Sequence, residues 1–458
     1  MLDRRGFLLG MTAGVGNGLL GTRSASANWL PRARAARDKL KITDIERHEL
    51  YLPYHDFNGQ SLFRYHGYRI QATTVVLVKT NLGLTGAGES WSVYNLPDNW
   101  RKRFIGSSPF DWIGSRSDLP LNMAMYDLMG KYLDIPAWKL IGEQVRQRIP
   151  VSAWTVSQTP EMMAKEVQQA AALGYRWLKY HIDEVQNVVD QTRAMQAVAP
   201  PGFRVHYDFN MNSRRAFIEP VLDALKSFPI VGRIEDPIDS GQPDDWKFLC
   251  DKYDWPMVAH HAPVDFIVNG SADGYMAGHA PIGHAIRIAG VAEQVHKPLM
   301  LQQAGSYINQ AFLAHEASVF PAASMDHVNL AELWKDHVTN EQMPIRNGSI
   351  AVPSGPGLGV TVNIEKLKHL AQTPRPKHKP FLVKIMYRRG PTIIARHDPD
   401  LNGHTDDMRF LQRLLGKPIP GPQPAYINDV RTEWWDDGDD PAFQRAWRAT
   451  EQRKYIIE

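Results

Sequence analysis

The side chains best suited to bind a metal or move a proton fall at one kind of place in this chain, the last residues of short apolar runs. Trp177 to Ile182 carries Lys179 and His181, two apart and therefore on one side of an extended segment. Arg204 to Asn210 carries Asp208 and Asn210 in the same relation, Val231 to Pro237 ends in Glu235-Asp236-Pro237, and Pro256 to His261 ends in His260-His261. Asp326 to Glu332 closes on Glu332. Two carboxylates at matching depth on neighbouring runs suit a hard divalent cation, because Mg2+ takes oxygen ligands in octahedral array, with water or substrate completing the shell. Asp208 and Glu235 are therefore the expected pair of metal ligands, against the plainer reading of surface or helix-capping carboxylates.

Such residues need a scaffold that brings the ends of the runs together. From Pro150 the runs alternate with amphipathic stretches at a period of roughly 25 to 30 residues, the pattern of repeated βα units. Besides the runs above they are Val151 to Thr155, Gly274 to Ala277 and Pro298 to Gln302. Eight βα units close a (β/α)8 barrel of the TIM type, with its site at the carboxyl ends of the strands. Thr159, Pro160 and Gly174 mark the start and stop of the first intervening helix. Ahead of the barrel, Lys41 to Trp91 alternates like strands around a turn at Asn81-Leu82-Gly83, and Leu121 to Tyr132 reads as a helix packed on them. The expected organisation is a leader over 1–27, an α+β domain over 40–149, the barrel over 150–372 and a C-terminal extension over 373–458. In the extension Pro374, Pro376, Pro380, Pro418, Pro420 and Pro422 are expected to break the chain into irregular pieces, while Trp434 and Trp435 make it aromatic enough to dock.

The bulk numbers narrow the function classes. A net charge of +3 from 52 basic and 49 acidic residues in 458 offers no basic stripe for nucleic acid, so a small molecule is the expected partner. Asp3-Arg4-Arg5-Gly6-Phe7, a modest apolar stretch and Ala25-Ser26-Ala27 have the order of a twin-arginine export signal, which predicts a periplasmic or otherwise exported protein. With Cys250 the only cysteine, no internal disulfide forms and the fold rests on its core. No other segment has the uninterrupted apolar length of a membrane span, so no membrane partner is expected; a homo-oligomer is.

The chain resembles the enolase superfamily, in its mandelate racemase and muconate lactonizing branch, over roughly residues 40 to 370. The resemblance rests on Leu121 to Lys131 with Ile135-Pro136 and Leu140-Ile141-Gly142, on Asp208-Phe209-Asn210 and Glu235-Asp236-Pro237, and on Val352-Pro353-Ser354-Gly355-Pro356-Gly357-Leu358-Gly359 as a closing loop. It implies an N-terminal capping domain, a modified barrel and one Mg2+ that stabilises the enediolate formed when a base removes the proton α to a carboxylate. On that resemblance Asp208 and Glu235 are the first two metal ligands. The third, a carboxylate in the family, aligns with His261, and imidazole favours transition ions, so another divalent metal is an alternative. Lys179-Tyr180-His181 stands where many members have Lys-x-Lys, which makes His181 the expected base and Lys179 either the partner of the substrate carboxylate or a neighbour that depresses the His181 pKa. Gln302, with Gln303 beside it, falls where a dyad histidine would lie, and an amide is no base. Glu332 either matches a carboxylic acid that hydrogen-bonds substrate or is a surface residue.

The leading expectation is a carbon–oxygen lyase that dehydrates a hydroxy or sugar acid, since one base near His181 suffices. A racemase, epimerase or cycloisomerase would need a second base such as His279 or Asp273. An exported barrel that binds a metal or ligand without catalysis, and a transition-metal hydrolase using Asp208, Glu235, His261 and His181, are the other readings. Arg64 is either a contact for an anionic distal group or an ordinary surface arginine.

Overall fold

The structure is a computed structural model. It describes residues 39–66, 71–91, 94–95, 98–183, 186–211, 213–375, 377, 379–387, 390–397, 430–453 and 455–458. The export motif and Pro376, Pro418, Pro420 and Pro422 lie outside the described residues.

Strands β1 (Ile42–Tyr51), β2 (Ala72–Thr80) and β3 (Thr85–Ser90) form an antiparallel sheet in that order, turned at Gly83 with φ 77°. The helix Leu119–Leu133 lies so close on β3 that a Cβ at Gly88 would stand 1.8 Å from the carbonyl of Pro120, so only glycine permits the approach. Asp127, wholly buried on that helix, accepts from the backbone N–H of Ala87 at 2.9 Å, the backbone N–H of Leu358 at 3.0 Å and Lys131 Nζ at 2.6 Å. One carboxylate thereby ties the helix to the sheet and to the closing loop, which is the physical content of those two motifs.

The barrel is β4 (Arg148–Val156), β5 (Trp177–His181), β6 (Arg204–Asp208), β7 (Val231–Glu235), β8 (Met257–Ala259), β9 (Gly274–Gly278), β10 (Leu299–Gln302) and β11 (His327–Val328). All are parallel and in sequence order, and β11 pairs with β4 to close the ring. The register sets His181 beside Asp208 and Asp208 beside Glu235, so three reactive side chains share one level. The eighth strand stops at Val328, which leaves Glu332 on a 3-10 turn, Ala331–Leu333, instead of at a strand end. A short β12 (Ser349–Ala351) runs antiparallel to the start of β4.

The extension departs from the expectation of irregular pieces. It forms an antiparallel sheet, ordered β15 (Val430–Trp435), β13 (Phe381–Tyr387), β14 (Thr392–His397), β16 (Tyr455–Ile457). Leu382 and Ile394 of that sheet pack against Phe443 and Ala446 of the helix Pro441–Arg453. The described prolines sit in connections, Pro374 and Pro380 before β13 and Pro391 before β14, where they leave the β-branched runs intact. Arg64 belongs to neither reading made of it: it pairs with Asp436 Oδ2 at 2.9 Å and lies 5.9 and 5.7 Å from the rings of Phe381 and Trp434. The extension thus docks on the helix Gly59–His66.

Candidate functional site

Four non-glycine residues with positive φ lie just past barrel strands: Asn210 (54°) and Met211 (56°) after β6, Asp236 (45°) after β7 and His279 (48°) after β9. Such conformations cost of order 1 kcal/mol or more each and persist only where surrounding bonds hold them. Here they are held. Asp236 Oδ1 accepts from the backbone N–H of His260 at 2.9 Å, and Oδ2 from that of His261 at 3.2 Å. Asp208 Oδ1 accepts from the Asn210 backbone at 2.9 Å, and the His279 backbone donates to Gln302 O at 2.7 Å.

Beneath these turns is a charged centre with no water-accessible surface. Lys179 Nζ lies 2.9 Å from Glu235 Oε1 and from Oε2, 3.0 Å from Asp208 Oδ2 and 2.7 Å from Gln302 Oε1. Burial works against the Lys179 charge, but Asp208 and Glu235 outweigh it and raise its pKa. Burial and mutual repulsion would raise Asp208, yet Lys179 and His181 hold it well below the usual carboxylate range. Glu235 is likewise held low, against its burial, by Lys179 and the neighbouring imidazoles of His206 and His260. His206 Nε2 stands 2.8 Å from Glu235 Oε2, and burial in the barrel core lowers its pKa. Lys179 lies beneath the residues that line the cavity and stands as a counter-ion to the two carboxylates.

That cavity, of about 470 Å³, opens above the centre and is lined by His181, Asn210, His260, His261, Gln302 and the Met276–Ala280 segment, with Trp91 from the N-terminal domain across it. His181 sits on the wall with Nε2 3.1 Å from Asp208 Oδ2 and its ring edge-on to Trp154 at 4.9 Å. His260 Nδ1 is 3.1 Å from Glu235 Oε1, and its ring fills the space over Gly278, where a Cβ would meet Nε2 at 2.1 Å. His261 turns Nδ1 to Asp236 Oδ2 at 2.5 Å. Burial opposes the charge of His261, but that carboxylate raises its pKa. His279 stacks on Trp91 with centroids 5.2 Å apart.

The structure therefore brings together Lys179, His181, Asp208, Glu235 and His261. It leaves Glu332 apart: that carboxylate accepts from the Trp154 backbone and, at 3.4 Å, from Tyr175 OH, and burial pushes its pKa up to about 8. Gln303 turns away onto Glu316, and His284 is exposed. Asp273 precedes β9, at the amino end of the strand, and bonds the Met257 backbone and Lys297, so it is removed from the list of second bases. Asp236, His260, Gln302 and Trp91 are the additions. Asp236 could have been found from its place beside Glu235, whereas the Lys179–Gln302 contact spans 123 residues and has no local signal.

The donor set fits a divalent metal. One ligand atom from each of Asp208, Glu235 and Asp236 lies within 4.8 Å of the others, and so does one from each of Asp236, His260 and His261. Asp208 Oδ2 and Glu235 Oε2 are buried and accept no aligned hydrogen bond among the described residues, which leaves acceptor capacity in the site.

Residues 162–367 match the family model described as enolase C-terminal domain-like. A D-galactonate dehydratase of Xanthomonas campestris pv. campestris is 24% identical over 281 residues, 56% of this chain and 73% of that protein. Among solved structures, a mandelate racemase/muconate lactonizing family protein from Azoarcus sp. EbN1 superimposes with a TM-score of 0.60 at 17% identity, covering 73% of this chain and 98% of that one. N-succinyl Arg/Lys racemase from Bacillus cereus ATCC 14579 does so with a TM-score of 0.59 at 20% identity, over 73% and 98%. The structural likenesses show the fold: a closed parallel barrel under an antiparallel cap.

Proposed function

We propose that this chain, a member of the enolase superfamily in its mandelate racemase and muconate lactonizing branch, is a metal-dependent acid dehydratase that abstracts the proton α to the carboxylate of a hydroxy or sugar acid. The observation that carries the reading is His181, an imidazole on the cavity wall backed at 3.1 Å by a buried carboxylate that Lys179 keeps ionised. A proton α to a carboxylate is very weakly acidic, so charge must meet the oxyanion as it develops. A divalent cation held at one of the two groups that share Asp236, its oxygens with those of Asp208 and Glu235 or with the His260 and His261 nitrogens, would supply that charge.

The remaining work falls to the chain's own groups. His181 takes the α-proton, and Asp208 beside Nε2 steadies the imidazolium, a service typically worth 10²- to 10⁴-fold in rate. The same imidazolium returns its proton to the departing β-hydroxyl as the C–O bond breaks, so water leaves and the enol tautomerises to a 2-keto acid. Lys179 and Gln302 hold the carboxylate pair in place from below. Trp91 and the apolar wall exclude water. Support for dehydration over its alternatives comes from the relative named as a D-galactonate dehydratase. A racemase or epimerase is the second reading, favoured by His279, which lines the cavity after the sixth strand, opposite the second strand that carries His181.

Incubation with a panel of hydroxy and sugar acids in D2O separates them. A 2-keto acid product, lost in His181→Ala, supports dehydration. Deuterium exchange at the α carbon without keto acid moves the assignment to epimerisation, and no exchange with any acid in the presence of divalent metals sinks both. Export by the twin-arginine route belongs to the same proposal, and fusion of residues 1–27 to a reporter, with Arg4-Arg5→Lys-Lys as control, tests it.

A further inference from the structure

Two triads meet at Asp236, and only one of them already holds a lysine ammonium. The oxygen triad, Asp208, Glu235 and Asp236, holds the Lys179 ammonium 2.9 Å from Glu235 and 3.0 Å from Asp208. Gln302 Oε1, 2.7 Å away, accepts a further hydrogen bond, so the ammonium is enclosed by three polar side chains and Lys179 is wholly buried. A hard cation on the same oxygens would set two positive centres side by side in a dry interior.

The mixed triad, Asp236, His260 and His261, has no such tenant. It is also built as one rigid unit. Asp236, held at φ 45°, fixes the backbone N–H groups of both histidines with its two oxygens. Glu235 orients the His260 ring through Nδ1, and Gly278 makes room for that ring where any side chain would collide with it. The His261 ring is half exposed, with a side-chain accessibility of 49%, at the wall of the cavity, so an ion arriving from solvent reaches it first.

We propose that the metal of this site is a transition ion bound by Asp236, His260 and His261, and not a hard cation on the Asp208–Glu235 pair. Imidazole nitrogen suits Zn2+, Co2+, Ni2+ and Fe2+, whereas Mg2+ binds carboxylate, carbonyl and water oxygens. The proposal rests on the metal-dependent reading above. Its test measures metal binding alone, so failure of the dehydratase assignment leaves it standing, and its own failure leaves that assignment free to use another ion.

The metal-free full chain is titrated with Co2+, whose visible d–d absorption reports nitrogen ligation, and the bound Co2+ is then competed with Zn2+ and with Mg2+. Expected are displacement by Zn2+ at near-stoichiometric concentration and a Mg2+ affinity weaker by about 100-fold or more, the order set by ligand softness. His260→Ala and His261→Ala are each expected to weaken Co2+ by about 10-fold or more and to change its spectrum, the scale on which even supporting groups act at metal sites. Lys179→Met, which frees the oxygen pair, is expected to raise Mg2+ affinity. Mg2+ competing as well as Zn2+ in the unaltered protein overturns the proposal, and that measurement needs no variant to fold. A Co2+ spectrum indifferent to both histidine substitutions, with circular dichroism showing the variants folded, overturns it equally.

Discussion

Glu235 and Glu316 are both wholly buried, one under the cavity and one on the helix Tyr307–Val319, and they end in opposite states of charge. Glu235 has an ammonium 2.9 Å away and stays ionised far below the usual range. Among the described residues Glu316 has only the amide of Gln303, and burial pushes its pKa up to about 8. Desolvation alone would neutralise either one. The difference shows that the chain spends a buried lysine where it needs charge and accepts a protonated acid where it needs only packing.

The comparison breaks most visibly at Lys179. Lys179→Met leaves two buried carboxylates without their cation and is expected to cost about 3 to 5 kcal/mol in urea unfolding. Unchanged stability would mean that Asp208 and Glu235 are not both ionised, and the contrast with Glu316 would fall. Glu316→Gln sharpens the other half. Because the folded pKa lies above the unfolded one, the folded state keeps a proton that the unfolded state gives up. Stability therefore falls as pH rises from about 4.5 and levels off above about 8. Removing this group should flatten that loss by about 2 to 3 kcal/mol between pH 6 and 8, since each unit of pH is worth about 1.4 kcal/mol for one fully shifted proton. Denaturant titrations at the two pH values decide it. The smallest effect is expected at Lys131→Met. Asp127 is as buried as Glu235, but two backbone N–H groups also serve it and Lys131 is 30% exposed, so a loss of about 1 kcal/mol is expected. A loss as large as that at Lys179 would show that backbone donors do not substitute for a cation.

The barrel and the carboxylate pair were legible because both depend on local spacing. Short apolar runs alternating with amphipathic stretches mark βα units, and strand ends in one register share a level, so Asp208 and Glu235 are found together. The direction of the neighbouring rings was not legible. His260 and His261 are adjacent, and which carboxylate each one meets depends on the positive φ of Asp236, a conformation no composition rule assigns to aspartate. Gln302 reads as a missing base in one dimension and as an acceptor for Lys179 in three. Glu332 was placed at a strand end because the apolar run continues through Leu330, but hydrogen-bonded pairing of β11 stops two residues earlier, at Val328. The C-terminal sheet was obscured by prolines, whose positions in connections become clear only once β13 and β14 are paired.

Arg64 has a consequence for how the molecule is made. Its carboxylate partner lies 372 residues further along, and Phe381 and Trp434 must be in place before its side chain is enclosed. The stretch just before it, Pro53 to His55, bonds to Leu333 and Lys335, close to Leu330 on the cavity wall. A nascent chain can complete its barrel ring once β11 has emerged, but the Arg64 contacts form only after β15 and Asp436 follow. Truncation within the extension is thus expected to leave the barrel ring closed but the helix Gly59–His66 without the Phe381, Trp434 and Asp436 side chains that cover its Arg64.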